Sequence, residues 1–314
     1  MRGKPESVAE HIAVRHEAAL RTAFAQALGQ TLAAHLTLSR LTDGLATNRS
    51  FQLTQSQPWT DFTNDLYARL QAILGGVFVA SANASTVAKA EHALTIRFDL
   101  TNPEAIAYAQ RYAAELVLDL STTSQAALRA IITRMMQGEL TPDSAARLIR
   151  ASIGLTPRQV VALENFRAEM VRLGHAPDYI ERKVEEYGRR KLAERATTIA
   201  RTEAMRAANA GQTAAWQAAA DQGILPRGGV QRRWITAADE LVCPICQPLD
   251  GQLAPLDEPF PGGYEPADVH PNCRCSQILV YANDDGTFTT RPPRPRPDTP
   301  RPPSRSLRPR LRAI

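Results

Sequence analysis

Residues 138–158 read GELTPDSAARLIRASIGLTPR, and their punctuation decides the fold class. Thr141-Pro142-Asp143 and Thr156-Pro157-Arg158 each place a capping hydroxyl before a proline at a first helical position. The hydroxyl accepts an otherwise unpaired backbone N–H, and proline lacks a donor only where none is needed. Gly138 and Gly154 supply the matching stops. The same grammar recurs upstream at Asn102-Pro103-Glu104 and downstream at Gly174. These signals predict helices near 102–120, 123–137, 141–153 and 156–173, then a longer one from about 178 to 220, broken at Gly188 or Gly211.

Upstream, apolar residues at helical spacing (Ile12, Leu20, Phe24, Leu28, Leu32) predict one or two helices between Val8 and Leu41. Residues 42–100 are mixed, with Val77-Phe78-Val79 and Leu94-Thr95-Ile96 as short strand candidates. After Gly223 the helical period stops, and Val230–Thr236 and Gln277–Tyr281 read as strands. Asp250-Gly251 marks a turn between them. The expected fold is α+β, mainly α. It divides into a mixed N-terminal region (1–100), a helical body (101–223), a Cys/His-rich β-containing module (224–285) and a tail (286–314).

The 314 residues carry 37 basic and 32 acidic side chains. Eight arginines and one aspartate fall after residue 290, so the preceding 290 residues hold 29 basic and 31 acidic groups. The basic character therefore belongs to the tail. There, Arg291, Arg294, Arg296, Arg301, Arg305, Arg308, Arg310 and Arg312 alternate with eight prolines. Such a segment lacks the apolar residues for a core and is expected to be disordered and extended. It can neutralise phosphates without reading sequence, or it can serve solubility or an acidic protein surface. No run of about 18 strongly apolar residues occurs, which argues against a membrane span. Met1-Arg2-Gly3-Lys4 is not followed by an apolar segment, so no secretory signal is expected.

All four cysteines lie within 33 residues. Cys243-Pro244-Ile245-Cys246 pairs two thiols at the spacing that grips one zinc ion. His270 and Cys273 repeat that spacing, and Cys275 is a fifth candidate. A structural zinc would stabilise a module too small to do so through its core. A disulfide or free thiols are the alternatives. No His-x-Glu precedes the Cys pair, no His-Glu-x-x-His is present, and five candidate donors favour a closed site over a catalytic one.

Around these residues an ordered set of motifs stands out. Ile199-Ala200-Arg201-Thr202-Glu203 precedes Asn209, Gly211 and Trp216. Trp234-Ile235-Thr236-Ala237-Ala238-Asp239-Glu240 leads into the Cys pair, Leu249-Asp250-Gly251 follows, and His270-Pro271-Asn272-Cys273-Arg274-Cys275 closes the segment. The set resembles the phage head morphogenesis domain of the Mu F-like minor head proteins. The resemblance covers roughly 101–281 and is strongest over 196–281. Pro266-Ala267-Asp268-Val269-His270 departs from the usual Pro-Pro-x-His approach.

The resemblance implies a minor capsid protein of a tailed phage or prophage, located in the virion head near the portal and in the host cytoplasm during assembly. It implies the portal and other head proteins as partners, and contact with packaged or ejected DNA. A virion-associated nuclease or transferase built on the same module is the rival reading. Arg201, Glu203 and Asp239 could form an active constellation. The reading favoured instead is structural: Arg201 anchors the helical body to the module through an ion pair with Asp239, and Trp234 and Trp216 serve as core anchors.

Overall fold

The computed structural model describes residues 7–28, 43, 45, 57–85, 87–89, 92–94, 98–237, 239–283 and 285–290. Six helices dominate these residues: α1 (Val8–Ala27), α2 (Gln57–Ala84), α3 (Pro103–Met136), α4 (Pro142–Ser152), α5 (Pro157–Arg172) and α6 (Pro177–Asp221). A two-stranded hairpin, β1 (Val87–Lys89) and β2 (His92–Leu94), lies between α2 and α3. Beyond α6 the chain builds a small antiparallel sheet from β3 (Val230–Ile235), β4 (Leu253–Ala254), β5 (Ser276–Ala282) and β6 (Phe288–Thr289), in the order β4-β3-β5-β6. The fold is mainly helical with a C-terminal antiparallel sheet, as the sequence predicts. The Arg/Pro tail from residue 291 lies outside the described residues.

The helix starts are capped as their sequences dictate. Asn102 accepts from the Glu104 and Ala105 N–H groups at 2.9 and 3.2 Å. Thr141 accepts from Ser144 at 3.2 Å. Thr156 and Gln159 form a reciprocal capping box, at 3.3 and 3.0 Å. Gly138, Gly154 and Gly174 follow their helices with φ of +80°, +80° and +74°.

Three local expectations need correction. First, 102–120 and 123–137 are one helix, α3. The gap predicted between them lies inside this helix, where Thr123 and Ser124 serve a lateral contact. Buried Arg195 of α6 donates to Thr123 Oγ1 at 3.3 Å, Ser124 Oγ at 3.5 Å and the Gly154 carbonyl. Second, Val77-Phe78-Val79 is helical, not a strand. Leu66, Leu70, Leu74, Val77 and Phe78 are buried at helical spacing, and packing along that face outweighs local β propensity. Leu94 ends β2, while Thr95 and Ile96 lie outside the described residues.

Third, α6 is unbroken over 45 residues. Its glycines are points of close approach. A Cβ on Gly188 would lie 2.4 Å from the Ala151 carbonyl oxygen of α4, and one on Gly211 2.2 Å from the Phe78 carbonyl oxygen of α2. α6 also buries Ala200, Ala204, Ala207, Ala208, Ala215 and Ala219, and α1, α2 and α5 pack along its length. Small side chains around the whole circumference let neighbouring backbones approach, so α6 is a buried central rod rather than an amphipathic surface helix.

Gly211→Ala should therefore destabilise by about 1–3 kcal/mol, because overpacking outweighs alanine's helical advantage. Gly76→Ala, with nothing within 4 Å of the added Cβ, should stabilise by about 0.5–1 kcal/mol. Paired denaturant melts of the two variants check both signs.

Candidate metal centre and its clamp on the central helix

The module has its own core. Trp234 is fully buried and meets Phe260 edge-on, with centroids 5.1 Å apart at 88°. Cys246, Cys273 and Cys275 are buried around this pair with Leu249 and Ala254. A second cluster joins Trp216, Ala219 and Ala220 of α6 to Val230, Leu256, Leu279 and Tyr281 of the module. Both tryptophans are thus core residues.

The motif residues bind one another. Asp250 accepts from the Thr236 N–H at 2.8 Å and its hydroxyl at 3.0 Å. The Gly251 N–H donates to the Trp234 carbonyl at 3.0 Å, and the Trp234 N–H to the Gln252 carbonyl at 2.9 Å. The Trp-x-Thr strand and the Asp-Gly turn are therefore two halves of one hydrogen-bonded unit, which sets where the Cys pair begins.

Five sulfur and nitrogen donors converge beside this unit. Those of Cys243, Cys246 and His270 lie within 4.8 Å of one another, and so do those of Cys246, Cys273 and Cys275. Cys246 belongs to both sets. Its Sγ lies 3.5 Å from His270 Nε2 and 3.9 Å from Cys273 Sγ. Zinc–sulfur bonds of about 2.3 Å at tetrahedral angles separate two thiolates by about 3.8 Å, and a zinc–nitrogen bond of about 2.0 Å sets sulfur to nitrogen at about 3.5 Å. The observed spacings fit. The donors border a cavity of about 20 Å³, the size of a single ion or water. The cluster can hold a metal ion.

Hydrogen bonding prepares the donors unequally. The Pro271 carbonyl lies 2.8 Å from His270 Nδ1. A carbonyl only accepts, so Nδ1 carries a proton and Nε2 turns toward the sulfurs. Partial burial disfavours charge on His270, but the Pro271 carbonyl and nearby thiolates outweigh it and raise its pKa. A hydrogen bond from the Cys275 thiol draws Cys273 down to about 6, against the effect of burial. Cys275, the donor in that bond and itself buried, is pushed up. Burial pushes Cys246 up to about 12. Cys243 is only slightly buried, and the Cys246 N–H, 3.3 Å from its sulfur, draws it down.

The cluster is clamped to α6. The Asn272 N–H, in a residue with φ of +62°, donates to Thr202 Oγ1 at 2.9 Å, and its side-chain amide to Thr198 Oγ1 at 3.3 Å. The Asn209 amide donates to the Cys275 carbonyl at 3.2 Å, and the Gln277 amide to Thr213 Oγ1 at 2.6 Å. Arg206 bonds both oxygens of Glu203 at 3.1 Å and also bonds Asp268 in the loop before His270. Burial raises the Glu203 pKa, and Arg206 opposes the shift.

The expected Arg201–Asp239 pair does not form. Arg201 reaches Glu17 of α1 at 3.3 and 3.5 Å, while Asp239 holds Arg274 at 2.7 Å. Arg201 and Glu203 point away from each other because two residues turn a helix by about 200°. Arg-Thr-Glu is accordingly a three-way junction: Arg201 to α1, Thr202 to the His-Pro-Asn-Cys loop, and Glu203 to Arg206.

One keystone escaped the sequence reading. Arg232 of β3 is 1% exposed. Its guanidinium donates to the Pro255 carbonyl at 3.0 Å, Gln277 Oε1 at 3.0 Å, both Glu265 oxygens at 2.7 and 3.0 Å, and the Glu258 carbonyl. It also lies 4.8 Å over the Phe260 ring. In sequence it sits inside a strand whose alternation would turn it inward, and an inward-facing arginine is the one signal available. The eight tail arginines lie outside the described residues.

These features define the class: a helical bundle around a central rod, carrying a small sheet with a metal-ligand cluster pinned to that rod. Residues 129–278 match the family model described as Phage Mu protein F like protein. The match accords with the resemblance to the Mu F-like phage head morphogenesis proteins that the motifs carry. The match starts within α3 and ends in β5, so it takes in both the rod and the cluster. No curated protein matches the chain, and no solved structure does. Among the described residues, no helix is long and apolar enough to cross a membrane.

Proposed function

We propose that the chain acts in head assembly as a structural protein docked on the portal, with a structural zinc in its C-terminal module. The observation that carries this reading is the direct bonding of the family's motif residues to one another and to α6. Arg201 and Thr202 tie helix to helix and helix to loop, Thr236 and Asp250 brace the strand, and Arg274 and Asp239 close the cluster. Each of these groups is spent on holding the architecture.

The zinc ligands in this reading are Cys243, Cys246, His270 and Cys273, with Cys275 hydrogen-bonded to the Cys273 sulfur as an outer partner. Four ligands close the coordination shell, so the metal supplies folding energy rather than a site for water. Coexpression with the portal protein of the same phage should give a complex that survives size-exclusion chromatography. Separate elution across a range of salt and protein concentrations would overturn the portal reading.

DNA contact is assigned to the tail, because the preceding 290 residues are slightly acidic. Neutralising about six to eight phosphates gives a log–log salt slope of about −5 to −7 on duplex DNA, without sequence preference. Replacing the eight tail arginines with glutamine should abolish that binding and leave the chain folded. Retention of the same affinity and slope would reject the phosphate-contact role.

A further inference from the structure

A cleft of about 860 Å³ separates the helical body from the 265–268 loop of the module. That volume suits a ligand site, and the metal cluster makes no use of it. One wall is aromatic. Tyr108 and Tyr112, one turn apart on α3, stack at 4.3 Å, and Phe78 lies 5.1 Å from Tyr108. Two polar groups on the lining, the Tyr108 hydroxyl and Asn209 Oδ1, are buried and have no hydrogen-bond partner among the described residues. The Asn209 amide nitrogen is already committed to the Met205 and Cys275 carbonyls. What remains is an acceptor, which calls for an N–H donor.

The charges point the same way. Glu104, Glu265 and Asp268 line the cleft. Arg206, which also lines it, is occupied by Glu203 and Asp268, so it offers little to an anion. Arg206 holds Glu203 and Asp268, and Arg232 holds Glu265, so Glu104 is the lining carboxylate that neither guanidinium engages. An occupant that brings flat apolar rings and guanidinium donors, with few backbone N–H groups of its own, fits this lining.

We propose that the cleft docks the Arg/Pro strand of the same chain, RPPRPRPDTPRPP at residues 291–303. Proline-rich strands bind aromatic-lined grooves because their backbone is already restricted, so little entropy is lost on docking. Proline leaves no N–H unpaired against the tyrosine wall. Arginine supplies charge-assisted bonds to carboxylates and buried acceptors. The reach is sufficient. Gln277, at the start of β5, lines the cleft, and Ala282, at its end, pairs with Phe288 just before the tail. The return path along the strand is about 17 Å, which about five extended residues cover, so the strand from about residue 294 onward can lie in the cleft. The inference goes beyond the head-assembly reading and does not depend on it.

The test uses the full chain with exposed Gln110, on the cleft wall, replaced by the photo-crosslinker benzoylphenylalanine. Irradiation followed by peptide mapping should place most crosslinks within residues 291–303. Their yield should fall at least fivefold with Glu104→Lys, an exposed position at the first turn of α3, and with Tyr112→Ala. A tail with its prolines changed to glycine, at equal charge, should lose crosslinking to a similar degree. Mixing isotope-labelled and unlabelled chains should give no mixed crosslinks. Crosslinks that avoid the tail, or a yield unmoved by Glu104→Lys, would overturn the proposal. So would equal yield from the glycine tail, which reduces the contact to charge alone. Predominantly mixed crosslinks would assign the strand to a second copy and overturn docking within one chain.

Discussion

Cys246→Ser protein is expected to purify with almost no zinc, where the unaltered chain should carry about one ion per molecule. Cys246 is the donor shared by both overlapping sets, so its loss leaves neither complete. Structural zinc contributes roughly 10–16 kcal/mol of apparent binding energy in small zinc-dependent folds. Removing one ligand should therefore cost several kcal/mol and release the module from α6. Cys275→Ser should keep the ion if Cys275 is the outer partner proposed above, while Cys243→Ser should lose it. Elemental analysis with denaturant melts under reducing conditions reads both quantities. Metal-free protein that melts like the loaded protein would exclude a structural metal.

The second large effect belongs to Arg232. Arg232→Met preserves much of the volume but strands Glu265, Gln277 and the carbonyls of Pro255 and Glu258. Removing one partner of a buried ion pair costs about 3–5 kcal/mol. The Glu265 side chain is 39% exposed, so water can solvate it in part and the lower end of that range applies. A loss of about 3 kcal/mol should lower the melting temperature by roughly 6–9 °C. Arg232→Lys should recover less than half of this, because a single ammonium cannot meet acceptors arranged around a planar fork. Adding Glu265→Leu to Arg232→Met should restore part of the stability, since the stranded carboxylate is then gone. A melt within 1 °C of the unaltered protein for Arg232→Met would mean that the network contributes nothing net.

Much of this architecture is local and could be read without a fold. Capping residues and N1 prolines act on N–H groups two or three positions away, so 102–103, 141–142 and 156–157 start helices for reasons contained in the tetrapeptide. The Cys-x-x-Cys and His-x-x-Cys spacings are equally local, because two ligands on one turn reach one ion wherever the turn sits. The order of these motifs was enough to recognise the family. Local propensity misled where a distant partner outweighed it. The gap predicted at 121–122 is closed by α3, and beside it Ser124 accepts from Arg195, 71 residues away. Gly188 and Gly211 resemble breaks until α4 and α2 are laid against them.

What the sequence determined by itself was the mainly helical class, the positions of the capped helix starts, the set of candidate metal donors and the concentration of positive charge after residue 290. What only the tertiary structure decided was pairing across distance. Arg201 chose Glu17 over Asp239, Thr202 met Asn272, Arg232 gathered acceptors from three segments, and Tyr108, Asn209 and Glu104 came to face one cleft. The reason is physical. Hydrogen bonds and ion pairs fall off within a few ångströms, and residues far apart in the chain acquire such separations only when α6 has been packed as a rod and the sheet laid along it.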